Sequence, residues 1–145
     1  MEGAIYTTGS NSLIILNIRF ESNKVKNGGT LYLTVPTRIT SSTFKNNLAS
    51  KNGGAIYSKN VLNISKSAIS KNSAKTAIYL SKFYNIIINK NVFKDNYQAI
   101  NVESAKNLNF TNNNVEGNEI GTQFSDLENL LIQNNKVYKN QHDGI

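Results

Sequence analysis

The chain has 145 residues, 39 % of them apolar, with a formal net charge of +7. It contains no cysteine and one histidine, His142; a disulfide framework, a thiolate metal site and a cysteine nucleophile are excluded, and a histidine-based metal site has too few ligands. No apolar stretch approaches the eighteen or so residues of a membrane span, so no membrane insertion is expected.

Repetition organises everything that follows. In chain order, a strand-like block recurs as Gly3-Ala4-Ile5-Tyr6, Gly29-Thr30-Leu31-Tyr32, Gly54-Ala55-Ile56-Tyr57 and Thr76-Ala77-Ile78-Tyr79, then drifts to Gln98-Ala99-Ile100-Asn101 and Gly121-Thr122-Gln123. Gly144-Ile145 reads as the opening of another copy. A second apolar pair follows each block: Leu13/Ile15, Thr37/Ile39, Leu62/Ile64, Ile86/Ile88, Leu108/Phe110 and Leu130/Ile132. Five residues later comes an apolar residue with asparagine three positions beyond it: Phe20/Asn23, Phe44/Asn47, Ile69/Asn72, Phe93/Asn96, Val115/Asn118 and Val137/Asn140.

Alternation within these blocks has the period of a strand, and helical spacing is absent. Strands of three to five residues cannot bury a face alone; stacking coil on coil at about 4.8 Å gives each one parallel neighbours. The expected fold is therefore all-β: one right-handed parallel β-helix of about six coils, 22–25 residues each, about 30 Å long. The coils fall near 3–27, 28–52, 53–75, 76–98, 99–120 and 121–143. The asparagine column is expected to turn inward at a corner, bond to its counterparts above and below, and take the left-handed conformation there. Both ends lie inside the pattern, so the chain reads as a segment of a longer solenoid whose open coils associate end to end.

The motifs Phe44-Lys45-Asn46-Asn47 followed by Gly53-Gly54-Ala55-Ile56 resemble the paired FxxN and GGA[ILV] repeats of polymorphic outer-membrane proteins. Phe20-Glu21-Ser22-Asn23 followed by Gly28-Gly29-Thr30-Leu31 is a second copy. Similar repeats with "GGAIY" strands occur in adhesin-like surface proteins of methanogenic archaea. The resemblance is strong over residues 1–75 and looser afterwards. It implies a β-helix displayed outside the cell or on its surface and used in adhesion or surface architecture.

Three functions are compatible with such a solenoid. In the first, Tyr6, Tyr32, Tyr57 and Tyr79 line up on the outside of one sheet, flanked by the small residues Ala4, Thr30, Ala55, Ala77 and Ala99. That strip would bind a glycan or a host or cell-surface protein, or it would only brace the sheet. In the second, Glu103 and Asp126 in adjacent coils, with Lys82 in the coil before, form the two-carboxylate patch of a carbohydrate-active enzyme resembling pectate lyases. In the third, the chain is a spacer without a ligand. No cofactor or metal is expected. Aromatic and basic residues do not interleave, which argues against nucleic acid. Asn63-Ile64-Ser65 and Asn109-Phe110-Thr111 match glycosylation acceptors, as an asparagine-rich chain does by chance.

Overall fold

A computed structural model describes residues 4–26 and 29–142, with the side chains of 82–84 left aside. Gly3, Gly28, Asp143, Gly144 and Ile145, drawn on above, lie outside the described residues, as does the side chain of Lys82. The chain winds into about six turns of a parallel β-solenoid, and the described residues contain no helix.

Each turn presents three strand positions, and the first two turns add a short fourth, Lys24–Val25 paired with Leu48–Ala49. The first face carries Ile5–Tyr6, Leu31–Leu33, Ile56–Ser58 and Ile120–Ser125; the second carries Leu13–Leu16, Thr37–Thr40, Leu62–Ser65 and Asn129–Gln133. The third runs through Arg19–Glu21, Thr43–Lys45, Ala68–Ser70, Val92–Lys94, Asn114–Glu116 and Lys136–Tyr138. Every pairing is parallel, and the registers match the sequence columns: Ile15↔Ile39, Ile39↔Ile64, Ile64↔Ile88, Ile88↔Phe110 and Phe110↔Ile132. On the third face Phe20, Phe44, Ile69, Phe93, Val115 and Val137 align in the same way.

Two strands are longer than the short-strand pattern predicts. Ile78–Asn89 and Gln98–Thr111 run across the corner between the first and second faces. In those turns two more residues separate the inward columns (Ile78 to Ile86, Ile100 to Leu108) than in the turns before them (Leu31 to Thr37, Ile56 to Leu62). The extra length lets backbone pairing continue from Ser81↔Glu103 to Asn85↔Asn107. In the earlier turn Pro36, with no N–H to contribute, sits at that corner and Thr37 begins a new strand.

The core is two files of side chains on the first and second faces and one on the third. Ile39, Ile64, Ile88, Phe44, Phe93 and Leu80 have no exposed surface, and burying each such side chain is worth about 2–3 kcal/mol. Phe20 and Phe44 stack with ring centroids 4.9 Å apart. Ala55, Ala77, Ala99 and Thr30 are also fully buried. These four are interior packing and do not flank the tyrosines at the surface, whereas Ala4, the fifth of the small residues, is exposed.

The asparagine column forms the predicted ladder. Asn47 donates from both its backbone N and its Nδ2 to Asn72 Oδ1, at 3.1 and 2.9 Å, and its Nδ2 also donates to the Phe20 carbonyl at 3.0 Å. Asn72, Asn96 and Asn118 repeat the arrangement in turn. A second ladder occupies the other bend, where Ser42 leads to Ser67, Asn91, Asn113 and Asn135. It too lies three residues beyond an apolar column, after Ile39, Ile64, Ile88, Phe110 and Ile132.

The left-handed residues are not the ladder asparagines but those immediately before them. Ser41, Lys66, Lys90, Asn112 and Asn134 hold φ between 51° and 57° at one bend, and Asn46, Lys71, Asp95 and Lys139 hold 53° to 56° at the other. The turn needs the positive φ one step earlier, so that the asparagine itself can project inward. A lysine in that region is strained by about 1 kcal/mol. Lys66, Lys71 and Lys90 are exposed, so replacing one of them with glycine relieves the strain and disturbs no packing. Lys90→Gly is expected to raise stability by about 0.5–1 kcal/mol in chemical denaturation; an unchanged or lowered midpoint would remove strain as the account of this bend.

Candidate functional site

The first face places Tyr6, Tyr32, Tyr57 and Tyr79 in direct register on the solvent side. Strand alternation makes this inevitable: Ile5, Leu31, Ile56 and Ile78 point inward, so the next residue points out. Ring centroids are 5.2, 5.0 and 5.2 Å apart down the column, with interplanar angles of 28°, 10° and 22°. The rings therefore cover one another's faces. What the strip offers outward is ring edges and phenol hydroxyls, with Tyr6 the most exposed at 52 %. Lys59 lies alongside, its Nζ 5.6 Å from the centroid of Tyr32 and 5.8 Å from that of Tyr57. Such cation–π contacts hold a positive charge beside the strip.

The strip ends in a polar cluster. Below Tyr79 come Asn101 and then Gln123. The Tyr79 hydroxyl donates to Glu103 Oε2 at 2.6 Å, and Asn101 Nδ2 donates to Glu103 Oε1 at 3.0 Å. Desolvation, reinforced by the bond to the Glu103 carboxylate, pushes the Tyr79 phenol up to about 12 from 10.0. Folding thus favours the protonated phenol, whose contribution to stability is present below pH 10 and is lost as pH rises toward 12. An absorbance titration is expected to show a phenol ionising near pH 12 that disappears in Tyr79→Phe; its persistence would assign that ionisation to another tyrosine.

The proposed acid pair is not in register. Glu103 lies opposite Ser125, and Asp126, one residue further, sits in a left-handed bend with φ of 53°. Both carboxylate oxygens of Glu103 are engaged, by Tyr79 and Asn101, while Asp126 is exposed. Lys82, the third member, falls among the side chains left undescribed. Among the described residues no three acidic or histidine side chains converge.

Charged residues also meet on the third face, where Glu116 accepts from the Tyr138 hydroxyl at 2.7 Å and from Lys94 Nζ at 3.2 Å. These two bonds, Tyr138 first, hold the Glu116 carboxyl below its usual range. The cluster ties three successive turns together and encloses no space.

On the outside of the second face a groove of about 380 Å³ runs along the axis of the solenoid. One wall is formed by Pro36 and Val61, the other by Ile14, Arg38, Asn63 and Ile87. A signal for it exists. Leu13-Ile14-Ile15-Leu16 is apolar at every position, so the outward members Ile14 and Leu16 are left 70 % and 56 % exposed. A strand buried on one face alone would alternate.

A family model described as "Right handed beta helix region" matches residues 27–145. No curated protein and no solved structure matches the chain.

Proposed function

This chain belongs to the right-handed beta helix family, and from that premise we propose that it is a non-catalytic, adhesin-like module that recognises a glycan or protein through its lateral surface. The observation that carries the proposal is the unbroken file of four outward tyrosines at sheet spacing, with Lys59 held against it. A row of phenol hydroxyls and ring edges on a rigid sheet supplies contact area at low entropic cost, the property that enriches tyrosine in binding surfaces. The fold by itself is neutral, since one solenoid hosts enzymes and passive stalks alike. Two points weigh against catalysis at Glu103: its carboxylate is occupied by neighbours, and Ser125, not a second acid, stands opposite.

The paired Phe-x-x-Asn and Gly-Gly-Ala-Ile motifs support placing the chain with polymorphic outer-membrane and adhesin-like repeats, and hence outside the cell or on its surface. The ladder also has a polarity that supports end-to-end self-association. Each asparagine N–H is aimed at the following turn, so only a head-to-tail arrangement of two copies would continue it. Light scattering is expected to show a mass that grows with concentration; a constant monomer mass would sink that part of the proposal.

The principal test is a panel of polysaccharides, glycans and extracellular-matrix proteins, with mass spectrometry of each bound partner. Binding without cleavage, lost in Tyr57→Ala/Tyr79→Ala, is the expected result. Cleavage products surviving in that variant would overturn it in favour of a carbohydrate-active enzyme. Silence across the panel would favour a spacer.

A further inference from the structure

We propose that the groove on the second face is a second recognition site, taking an extended acidic peptide with aliphatic side chains. The proposal rests on the lateral-recognition reading but names a different patch and a defined partner chemistry.

Shape comes first. The groove follows the solenoid axis past four turns, from Ile14 through Arg38 and Asn63 to Ile87. At about 4.8 Å per turn that is about 14 Å, the length of about four extended residues. A volume of about 380 Å³ holds a few aliphatic side chains.

Lining chemistry selects the class of ligand. Ile14, Pro36, Val61 and Ile87 present aliphatic surface, and among the described residues no aromatic ring lines the groove. A sugar ring prefers an aromatic platform, whereas valine or leucine side chains pack as well on aliphatic walls. Ile14 and Ile87 are 70 % and 38 % exposed in register positions of one sheet, more apolar surface than a solvated strand face carries.

Charge selects further. Among the described residues, Arg38 is the only charged one in the lining. It is exposed, and no ion pair joins it to a carboxylate among the described residues. Its guanidinium can take a carboxylate bidentately, and among the described residues no acid lines the groove to compete. Amides complete the set. Asn63 stands next to Arg38 in register, and Asn107 Nδ2 donates to Asn85 Oδ1 at 2.7 Å, which orients the Asn85 amide at the groove's end. An extended main chain supplies the carbonyls and N–H groups that such amides bind. The ligand so defined has a carboxylate at Arg38, aliphatic side chains against Ile14 and Ile87, and its backbone between the walls.

The probe is the blocked tetrapeptide acetyl-Val-Asp-Val-Val-amide, titrated into the 145-residue chain by calorimetry or fluorescence anisotropy of a labelled copy. Saturable binding is expected, weakening at least tenfold with asparagine in place of the peptide aspartate and at least tenfold in Arg38→Ala. Raising the salt from about 50 to about 500 mM should weaken it as well, as screening requires. Ile14→Glu puts a carboxylate into the groove at an exposed position and is expected to abolish binding while circular dichroism is unchanged. Equal binding of the lysine-for-aspartate peptide, equal binding by Arg38→Ala, or no saturable binding would overturn the proposal. So would tri-galacturonate binding that needs Arg38 while the peptide fails, which would give the groove to an acidic glycan. A panel ligand lost in Tyr57→Ala/Tyr79→Ala alongside peptide failure would remove only the groove and leave lateral recognition standing.

Discussion

Asn72→Ala is expected to destabilise the solenoid by about 4 kcal/mol, measured as a shift of the denaturation midpoint at unchanged m-value. Asn72 is 1 % exposed and stands at the centre of the ladder. Its Oδ1 accepts from the N and Nδ2 of Asn47, and its Nδ2 donates to the Phe44 carbonyl at 3.0 Å and to Asn96 Oδ1 at 3.2 Å. Alanine removes four bonds at once and strands two donors on Asn47 in the core. Each buried polar group left unpaired costs about 1–3 kcal/mol, and relaxation of the corner offsets part of the total. The loss is a large fraction of the 5–15 kcal/mol that stabilises a typical domain. Asn72→Asp separates polarity from geometry. It keeps an acceptor for Asn47 but turns an oxygen toward the Phe44 carbonyl and Asn96 Oδ1. At neutral pH it is expected to be worse than alanine, and to recover partly as pH falls, because burial beside acceptors raises the carboxyl pKa and the protonated form regains one donor. A cost below about 1 kcal/mol for both variants would mean that the apolar files alone hold the stack.

The same ladder marks the limit of what the residues reveal unaided. Phe44/Asn47 and its five counterparts give the turn count and the register, because an inward apolar residue and an inward amide at fixed separation can be satisfied only by stacking. The Ser42–Ser67–Asn91–Asn113–Asn135 ladder obeys the same offset but escapes notice. Its first members are serines, and serine is common enough at turns to carry no signal. The left-handed positions escape for a related reason. Lys66, Lys71 and Lys90 have no intrinsic preference for positive φ, so only the closed geometry of the turn puts them there. The tyrosine file is fully legible, since alternation forces Tyr6, Tyr32, Tyr57 and Tyr79 outward. What alternation does not reveal is that the rings lie face to face and leave edges for a partner. Ala55, Ala77 and Ala99 mislead because period-two alternation is applied one residue too far: they belong to the corner, where Ala55 and Ile56 are both buried. Glu103 and Asp126 mislead by a single residue of register, which in a sheet is enough to separate two side chains.

The double glycine that carries the family resemblance has a cause that a substitution can expose. Gly53 has φ of 76°, and a Cβ built on it would lie 2.6 Å from the Ile56 carbonyl oxygen and 2.9 Å from Tyr57 Cβ. Gly29 repeats the situation one turn earlier, where an added Cβ would collide with the Gly53 carbonyl oxygen. Glycine supplies a left-handed φ together with close approach, to its own turn's strand at Gly53 and to the next turn at Gly29. The backbone cannot step aside, because Gly53 N and Gly54 N both donate to the Thr76 carbonyl, at 3.0 and 2.8 Å. Gly53→Ala is therefore expected to cost about 3 kcal/mol, the sum of left-handed strain and displaced backbone. It should also disturb the near-ultraviolet circular dichroism of the stacked tyrosines, since Tyr57 is the side chain pushed. Gly9→Ala is the matched control: its φ is 112°, nothing lies within 4 Å of an added Cβ, and only conformational strain of about 1 kcal/mol applies. Later turns have Lys75 and Tyr97 where Gly53 stands, and their corners are shorter, so no carbonyl of a neighbouring turn has to pass. If Gly53→Ala costs no more than Gly9→Ala and leaves the tyrosine signal intact, close approach is not what the motif provides, and its glycines serve the bend alone.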